Sequence, residues 1–168
     1  MEYSTVTYGP PVHGNKPLTP EELAAFLAET RHAIIGTTNP DGSPRVTPVG
    51  FLWDGTSFYA MADGQRYWVR RNLRRDPRMT LVVEQGDDYR AVVASGRAEI
   101  LDRDIGDLTR RILVKYFGAE AGAAYFDQFQ REPNENRVVV ALKPDRMQTW
   151  QRDDGEDAAW SAPEWTSP

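Results

Sequence analysis

The sequence contains no cysteine and only two histidines, His13 and His32. The missing cysteine excludes disulfides, thiolate nucleophiles and cysteine-ligated zinc, iron–sulfur or haem sites. The histidines stand nineteen positions apart with no carboxylate pattern around them, so no metal site is expected. No apolar run is long enough to span a membrane, and signal-peptide and lipidation motifs are missing too. A cytoplasmic location without membrane contact is the expectation. Neither a serine–histidine–acid set, nor a phosphate-cradling glycine loop, nor a carboxylate dyad is present, so motifs assign no catalytic residue. The net charge of −5, from 20 basic and 25 acidic side chains, argues against a nucleic-acid partner.

What is present concentrates in one stretch, Pro44 to Arg78. It reads as strand, tight turn, strand, polar loop and a short helix, with six arginines in the thirteen residues from Arg66 to Arg78. Asp54-Gly55 between apolar and aromatic runs predicts a two-residue hairpin that folds Ser57–Ala62 back on Arg45–Trp53. Pro48 cannot donate to a ladder, so a bulge or an unpaired edge is expected there. Arg66, Arg70, Arg71, Arg74, Arg75 and Arg78 face only Asp76 in that window. Basic charge so concentrated beside a sheet suits a small, flat ligand with an anionic tail. The competing reading of the cluster is a solvated helix face, with Arg74, Arg75 and Arg78 structural.

A chain of 168 residues fits one domain. Residues 1–18 read as an extended arm, 19–152 as the folded domain and 153–168 as an acidic, tryptophan-bearing flexible tail. Thr19-Pro20-Glu21-Glu22 predicts a capping box opening a helix whose Leu23, Phe26 and Leu27 cover a sheet. His32 is expected to cap that helix's C-terminal end. Strands are predicted at Ala33–Thr38, Met79–Glu84, Tyr89–Leu101 and Arg137–Leu142, the last extended towards Trp150, with turns at Asn39–Gly42 and Gly86–Asp88. Gly96 among alanines suggests strong curvature or close approach. Ile105, Leu108, Ile112, Leu113, Tyr116 and Phe117 recur at helical spacing up to Gly118, and a second helix follows over about 120–130. The sum is a mainly β, α+β chain: about six strands in an antiparallel barrel with peripheral helices.

The blocks HAIIGTTNPDGSPRVTPVGFLWDGTSFY, RRNLRRDPRMTLVVE, ASGRAEIL and KPDRMQTW, in that order, resemble those of the pyridoxamine 5'-phosphate oxidase-like split-barrel family, and within it the flavin/deazaflavin oxidoreductases. The resemblance covers about Leu18 to Gln151. It implies a six-stranded split barrel, assembled as a homodimer, with F-420 (favoured) or FMN between subunits and hydride transfer to a small organic substrate. The cofactor ring is expected along Thr47, Pro48 and Val49 and along Ala60, Met61 and Ala62. The phosphate is expected at Gln65, Arg66, Arg71 and Asn72, with the partner subunit's Trp150 closing the pocket. Many relatives carry a lysine where this chain has Val69, after Tyr67-Trp68. A non-catalytic flavin, deazaflavin or haem carrier is the alternative; haem is disfavoured because neither histidine sits in a ligand context.

Overall fold

The computed structural model describes residues 15–85, 89–131 and 136–152. The expected turn at Gly86–Asp88, the arm before Asn15 and the tail from Asp153 lie outside these residues. In chain order the elements are β1 (Asn15–Lys16), α1 (Pro20–Ala28), β2 (His32–Thr38), β3 (Pro44–Trp53), β4 (Phe58–Asp63), the arginine helix (Trp68–Leu73), β5 (Arg78–Gln85), β6 (Arg90–Leu101), α2 (Gly106–Phe117), α3 (Ala119–Arg131) and β7 (Arg137–Arg152). All strand pairings are antiparallel, and β2–β3–β4–β7–β6–β5 closes on β2 as a six-stranded split barrel. β1 adds a short edge outside the ring, pairing Asn15 and Lys16 with the end of β7.

Alternation decides which side chains fill the ring. Ile35, Phe51, Phe58, Leu81, Val92 and Leu142 are all fully buried. α1 plugs one end with Phe26 and Leu27, also fully buried. Its predicted capping box is present: the Glu22 N–H donates to Thr19 Oγ1 at 3.2 Å and the Thr19 N–H to Glu22 Oε2 at 2.8 Å. His32 does not cap this helix. It opens β2 with its ring 5.5 Å from that of Tyr116. The helix end is closed instead by the Glu29 N–H on the Phe26 carbonyl and by Lys115 Nζ, which donates to the Leu27 carbonyl at 2.8 Å.

Of the two forms expected at Pro48, the structure shows the unpaired edge, and the hairpin turn needs a one-residue shift. β2 and β3 pair in unbroken register from His32↔Gly50 to Thr38↔Pro44, so Pro48 carries no bulge. It occupies an open edge, because the β3–β4 ladder runs only over Phe51, Leu52 and Trp53. The register shift lies in β6–β7, between Ser95 and Gly96, with Asp145 as the extra residue. A Cβ on Gly96 would stand 2.9 Å from the Lys143 carbonyl, so only glycine allows that approach, as the sequence suggested. The β3–β4 hairpin turns over two residues as expected, but these are Gly55-Thr56, one step on from Asp54-Gly55: Trp53 pairs with Phe58, and the Asp54 N–H donates to the Ser57 carbonyl at 3.2 Å. The Asp54 carboxylate takes the N–H groups of Thr56 and Ser57, both at 2.8 Å, and moves the positive φ to Gly55 as the first central residue.

α2 and α3 cover one outer flank of the barrel. α2 ends at Gly118, whose φ of 81° breaks the helix as predicted. Tyr116 accepts the Phe51 N–H at 2.8 Å and donates to the Arg31 carbonyl. Next to it Lys115 Nζ lies 3.7 Å from the Phe51 ring centroid. Burial pushes the Lys115 ammonium down to about 8. Below that pH both folded and unfolded chains carry the proton, and the fold bears the cost of the half-buried charge. From about 8 towards the ordinary lysine value near 10.4, the unfolded chain keeps a proton that the folded one releases, so stability rises with pH. We expect urea unfolding of the wild type to gain stability between pH 8 and 9.5 relative to Lys115→Met. Parallel pH profiles for the two proteins would rule out this linkage.

Candidate functional site

The strand directions give the barrel two unlike ends. β2, β4 and β6 run away from the α1 plug, and their C-terminal ends gather around the arginine helix. Gly64 anchors the loop between β4 and this helix: its N–H donates to the Asn136 carbonyl at 2.6 Å. Gln65 adds a bond from Nε2 to Asn136 Oδ1 at 3.0 Å.

The helix is a π-helical turn, shown by the Arg74 N–H reaching the Val69 carbonyl at 3.3 Å. Its wide turn faces Trp68, Val69, Asn72 and Leu73 inward and leaves Arg70, Arg71 and Arg74 in water. Trp68 is only 4% exposed, so it is a core residue and obstructs no groove. Val69 is fully buried, so the position where many relatives carry lysine points into the core of this chain.

The six arginines divide by their partners. Arg75 donates to the Thr38 and Asn39 carbonyls at 2.8 and 3.0 Å. Arg78 grips Asp76 with Nη2 at 2.7 Å, and its bonds with the Asp76 carboxylate push that group down to about 2. The guanidiniums of Arg66, Arg70, Arg71 and Arg74 have no hydrogen bond or ion pair among the described residues. The structural role expected of Arg75 and Arg78 is therefore seen, and that of Arg74 is not. Four exposed guanidiniums on one short segment make a donor set suited to a phosphate or carboxylate.

Asn72 is placed differently. It is fully buried, and its Nδ2 donates to Thr37 Oγ1 and Asn39 Oδ1, each at 3.0 Å. Its Oδ1 is buried without a partner. The remaining polar atom is thus an acceptor, which repels a phosphate oxygen, and the donors are engaged. Asn72 ties the arginine helix to the β2–β3 turn.

The strand residues fall on both faces. Thr47 and Val49 lie opposite Ile35 and Ala33, which are buried inside the barrel. Val49 and Ala60 are buried, while Thr47 and Ala62 are half-buried at the same inner face. Pro48 lies opposite Ile34 on the outer face, and half-buried Met61 alternates with Ala60 and Ala62. Trp150 pairs with Ala91 near the α1 end, at the far end of β7 from Val138, the partner of Ala62. A single chain does not bring it to the hairpin.

Arg45 is a residue that sequence reasoning passed over. It lies opposite Thr37 and holds its guanidinium 5.4 Å from the exposed Tyr67 ring, bridging β3 and the arginine helix. Its alternation with Thr47 and Val49 was the available signal. Beside it a groove of about 680 Å³ runs over the outside of β2, β5 and β6, lined by Thr38, Val46, Arg78, Arg97 and Arg146 among others. Among the described residues no group of three or more His, Cys, Asp or Glu can hold a metal ion. No helix among them is long and apolar enough to cross a membrane.

Comparison with known proteins matches this geometry to a family. A conserved hypothetical protein of Mycobacterium tuberculosis is 26% identical, with a TM-score of 0.66 over 80% of this chain and 85% of its own. An F-420 reductase shares 22% identity and a TM-score of 0.57, covering 73% and 93% of the two chains. A haem storage protein of Vibrio cholerae shares 15% identity and a TM-score of 0.60, covering 79% and 94%. The likenesses below 25% identity speak for the fold alone. The model of the pyridoxamine 5'-phosphate oxidase family matches residues 19–151. With the closed barrel, the arginine helix and this match, the chain belongs to the pyridoxamine 5'-phosphate oxidase-like split-barrel family.

Proposed function

We propose that the protein is a flavin- or deazaflavin-dependent oxidoreductase that passes a hydride between bound cofactor and a small organic substrate. The observation that carries this reading is the set of four exposed, unpartnered guanidiniums on Arg66, Arg70, Arg71 and Arg74, next to the open edge of β3. The ring chemistry belongs to the cofactor. This chain's contribution is to bind and orient. The open backbone edge around Pro48, with the Met61 side chain, offers a flat platform with hydrogen-bonding groups. Arg66 and Arg71 hold the phosphate, Arg70 and Arg74 reach further along the anion, and Asn72 fixes the helix that carries them. Tyr67, 44% exposed beside Arg45, is the protein group placed to hand over a proton; solvent is the other source.

The working form in this reading is a cytoplasmic homodimer with the cofactor between subunits. Ile34 at 40% and Val46 at 70% exposure, with Pro48 beside them, give the outer face an apolar surface for a second copy. Since Trp150 lies at the far end of its own barrel, it closes the pocket only from the partner. F-420 is favoured over FMN, because its phosphate is followed by further anionic groups and four free arginines exceed what one phosphate uses. A carrier without turnover is the second reading. It is supported by the shortage of acid–base groups near the platform and by the likeness to a haem storage protein.

Arg66→Ala and Arg71→Ala should each weaken cofactor binding roughly tenfold, the loss of a charge-assisted hydrogen bond, with thermal unfolding unchanged. Equal affinity in wild type and both variants would move the phosphate elsewhere.

Fluorescence titration should show F-420 binding that weakens steeply from low salt to about 0.5 M, with FMN weaker throughout. Tight FMN binding with no F-420 binding at low salt would reverse the preference. Cofactor bound yet never reduced or oxidised across a broad panel of acceptors would favour the carrier.

A further inference from the structure

The register of β5, β6 and β7 puts like charges directly opposite one another. Arg78 pairs with Arg97, and Arg97 pairs in turn with Lys143. Met79, Gly96 and Leu142, one step away on each strand, face the interior, so all three cations stand on the outer face. Strands lie about 4.8 Å apart, so the three charges form a row across about 10 Å. Arg78 is tied to Asp76, but Arg97 and Lys143 are exposed and have no hydrogen bond or ion pair among the described residues. Glu99 and Asp145 are the nearest acids in sequence on these strands, and neither pairs with Arg97 or Lys143. Arg97 also lines the groove of about 680 Å³ with Arg45, Arg78 and Arg146.

Like charges in directly opposite positions destabilise a sheet. At the α1 end, by contrast, cations have an acidic partner: Glu29 takes both Arg31, at 2.5 Å, and Arg90, at 3.2 Å. The row is thus a local cost that the fold does not need. The β6–β7 register shift, which only glycine at position 96 permits, sets Lys143 opposite Arg97.

We propose that the row Arg78–Arg97–Lys143 is a second anion site, taking a chain of carboxylate or phosphate groups laid across β5, β6 and β7. Anionic groups repeated every few ångströms meet the three cations in turn without drawing their side chains together, as a single phosphate must. The site stands on strand register and charge, and does not depend on which cofactor the hairpin binds. Two sources fit the chemistry, a free polyanion and the anionic tail of a bound cofactor.

The test uses the full chain, inorganic tripolyphosphate as probe and orthophosphate as its monovalent-site control, at low salt. Tripolyphosphate should raise the melting temperature of the wild type, and orthophosphate at equal charge concentration should not. Arg97→Gln should melt about 2 °C higher than wild type without ligand, because a repulsion is gone. It should also bind tripolyphosphate at least fivefold more weakly, while Arg131→Gln on α3 changes neither quantity. Lys143→Gln should repeat the pattern. Binding of F-420 weakened in Arg97→Gln with FMN binding unchanged identifies the source as the cofactor's tail. Weakening of tripolyphosphate alone identifies a free polyanion. The proposal is overturned if tripolyphosphate acts no differently from orthophosphate, or if Arg97→Gln keeps full affinity for it.

Discussion

Barrel closure by β7 is the constraint on which the rest of the molecule depends. From Arg137 to Leu142 this strand pairs with β4, and from Val139 to Trp150 it pairs with β6. It therefore belongs to both sides of the ring. A strand used in that way cannot run straight. The extra residue Asp145, opposite a glycine that permits a backbone approach no Cβ allows, gives the bend. Because Asn136, just before β7, receives the Gly64 N–H, the point of closure is also where the chain leaves β4 for the arginine helix. The strand that completes the core thus fixes where the cationic segment can lie.

Within that segment burial and charge are divided between two faces. Trp68, Val69 and Leu73 are anchored in the core, and burying three large side chains stabilises the docked helix by several kcal/mol at about 25 cal/mol per Å². The turn places two adjacent pairs, Trp68-Val69 and Asn72-Leu73, inward together and the arginines between and after them outward, so a short helix is both well buried and heavily charged. That placement also accounts for an apolar residue at position 69. A cation there would be drawn into the core, while the flanking Arg66, Arg70 and Arg71 already stand in water.

Local signals in the sequence were reliable where the physics is local. The Thr19–Glu22 box, the helical spacing from Ile105 to Phe117 with its stop at Gly118, and the alternation of β2, β3 and β5 all depend on neighbours within one turn or one strand. The register shift was not legible as to place. A proline breaks a ladder only if both of its edges are paired, and whether β3 is flanked at Pro48 depends on where β4 ends. The two-residue hairpin turn sits one position later than the Asp54-Gly55 pair implies, because the Asp54 side chain takes the Thr56 and Ser57 N–H groups and so flanks the turn. Asn72 read as a ligand donor because its partners, Thr37 and Asn39, lie more than thirty residues away. His32 depended on Tyr116, more distant still.

The treatment of cations separates the two ends of the barrel. At the α1 end Arg31 and Arg90 share Glu29 and stand 5.2 and 4.9 Å from the Phe26 ring, so each has an acidic partner and a ring beside it. Lys115 is likewise satisfied by a carbonyl and a ring. At the other end Arg66, Arg70, Arg71, Arg74 and Arg97 have no acidic partner among the described residues, although the whole chain carries more acidic than basic side chains. A chain with a surplus of carboxylates has ample means to neutralise five guanidiniums. That it leaves them all at one end, on rigid strands and on a helix whose inner face is locked, is a distribution that folding alone does not require. A preorganised field of donors loses little entropy when an anion arrives, and the repulsion stored among them is released in the complex. The same arrangement that costs the free protein some stability would therefore strengthen its hold on the anionic ligand proposed above.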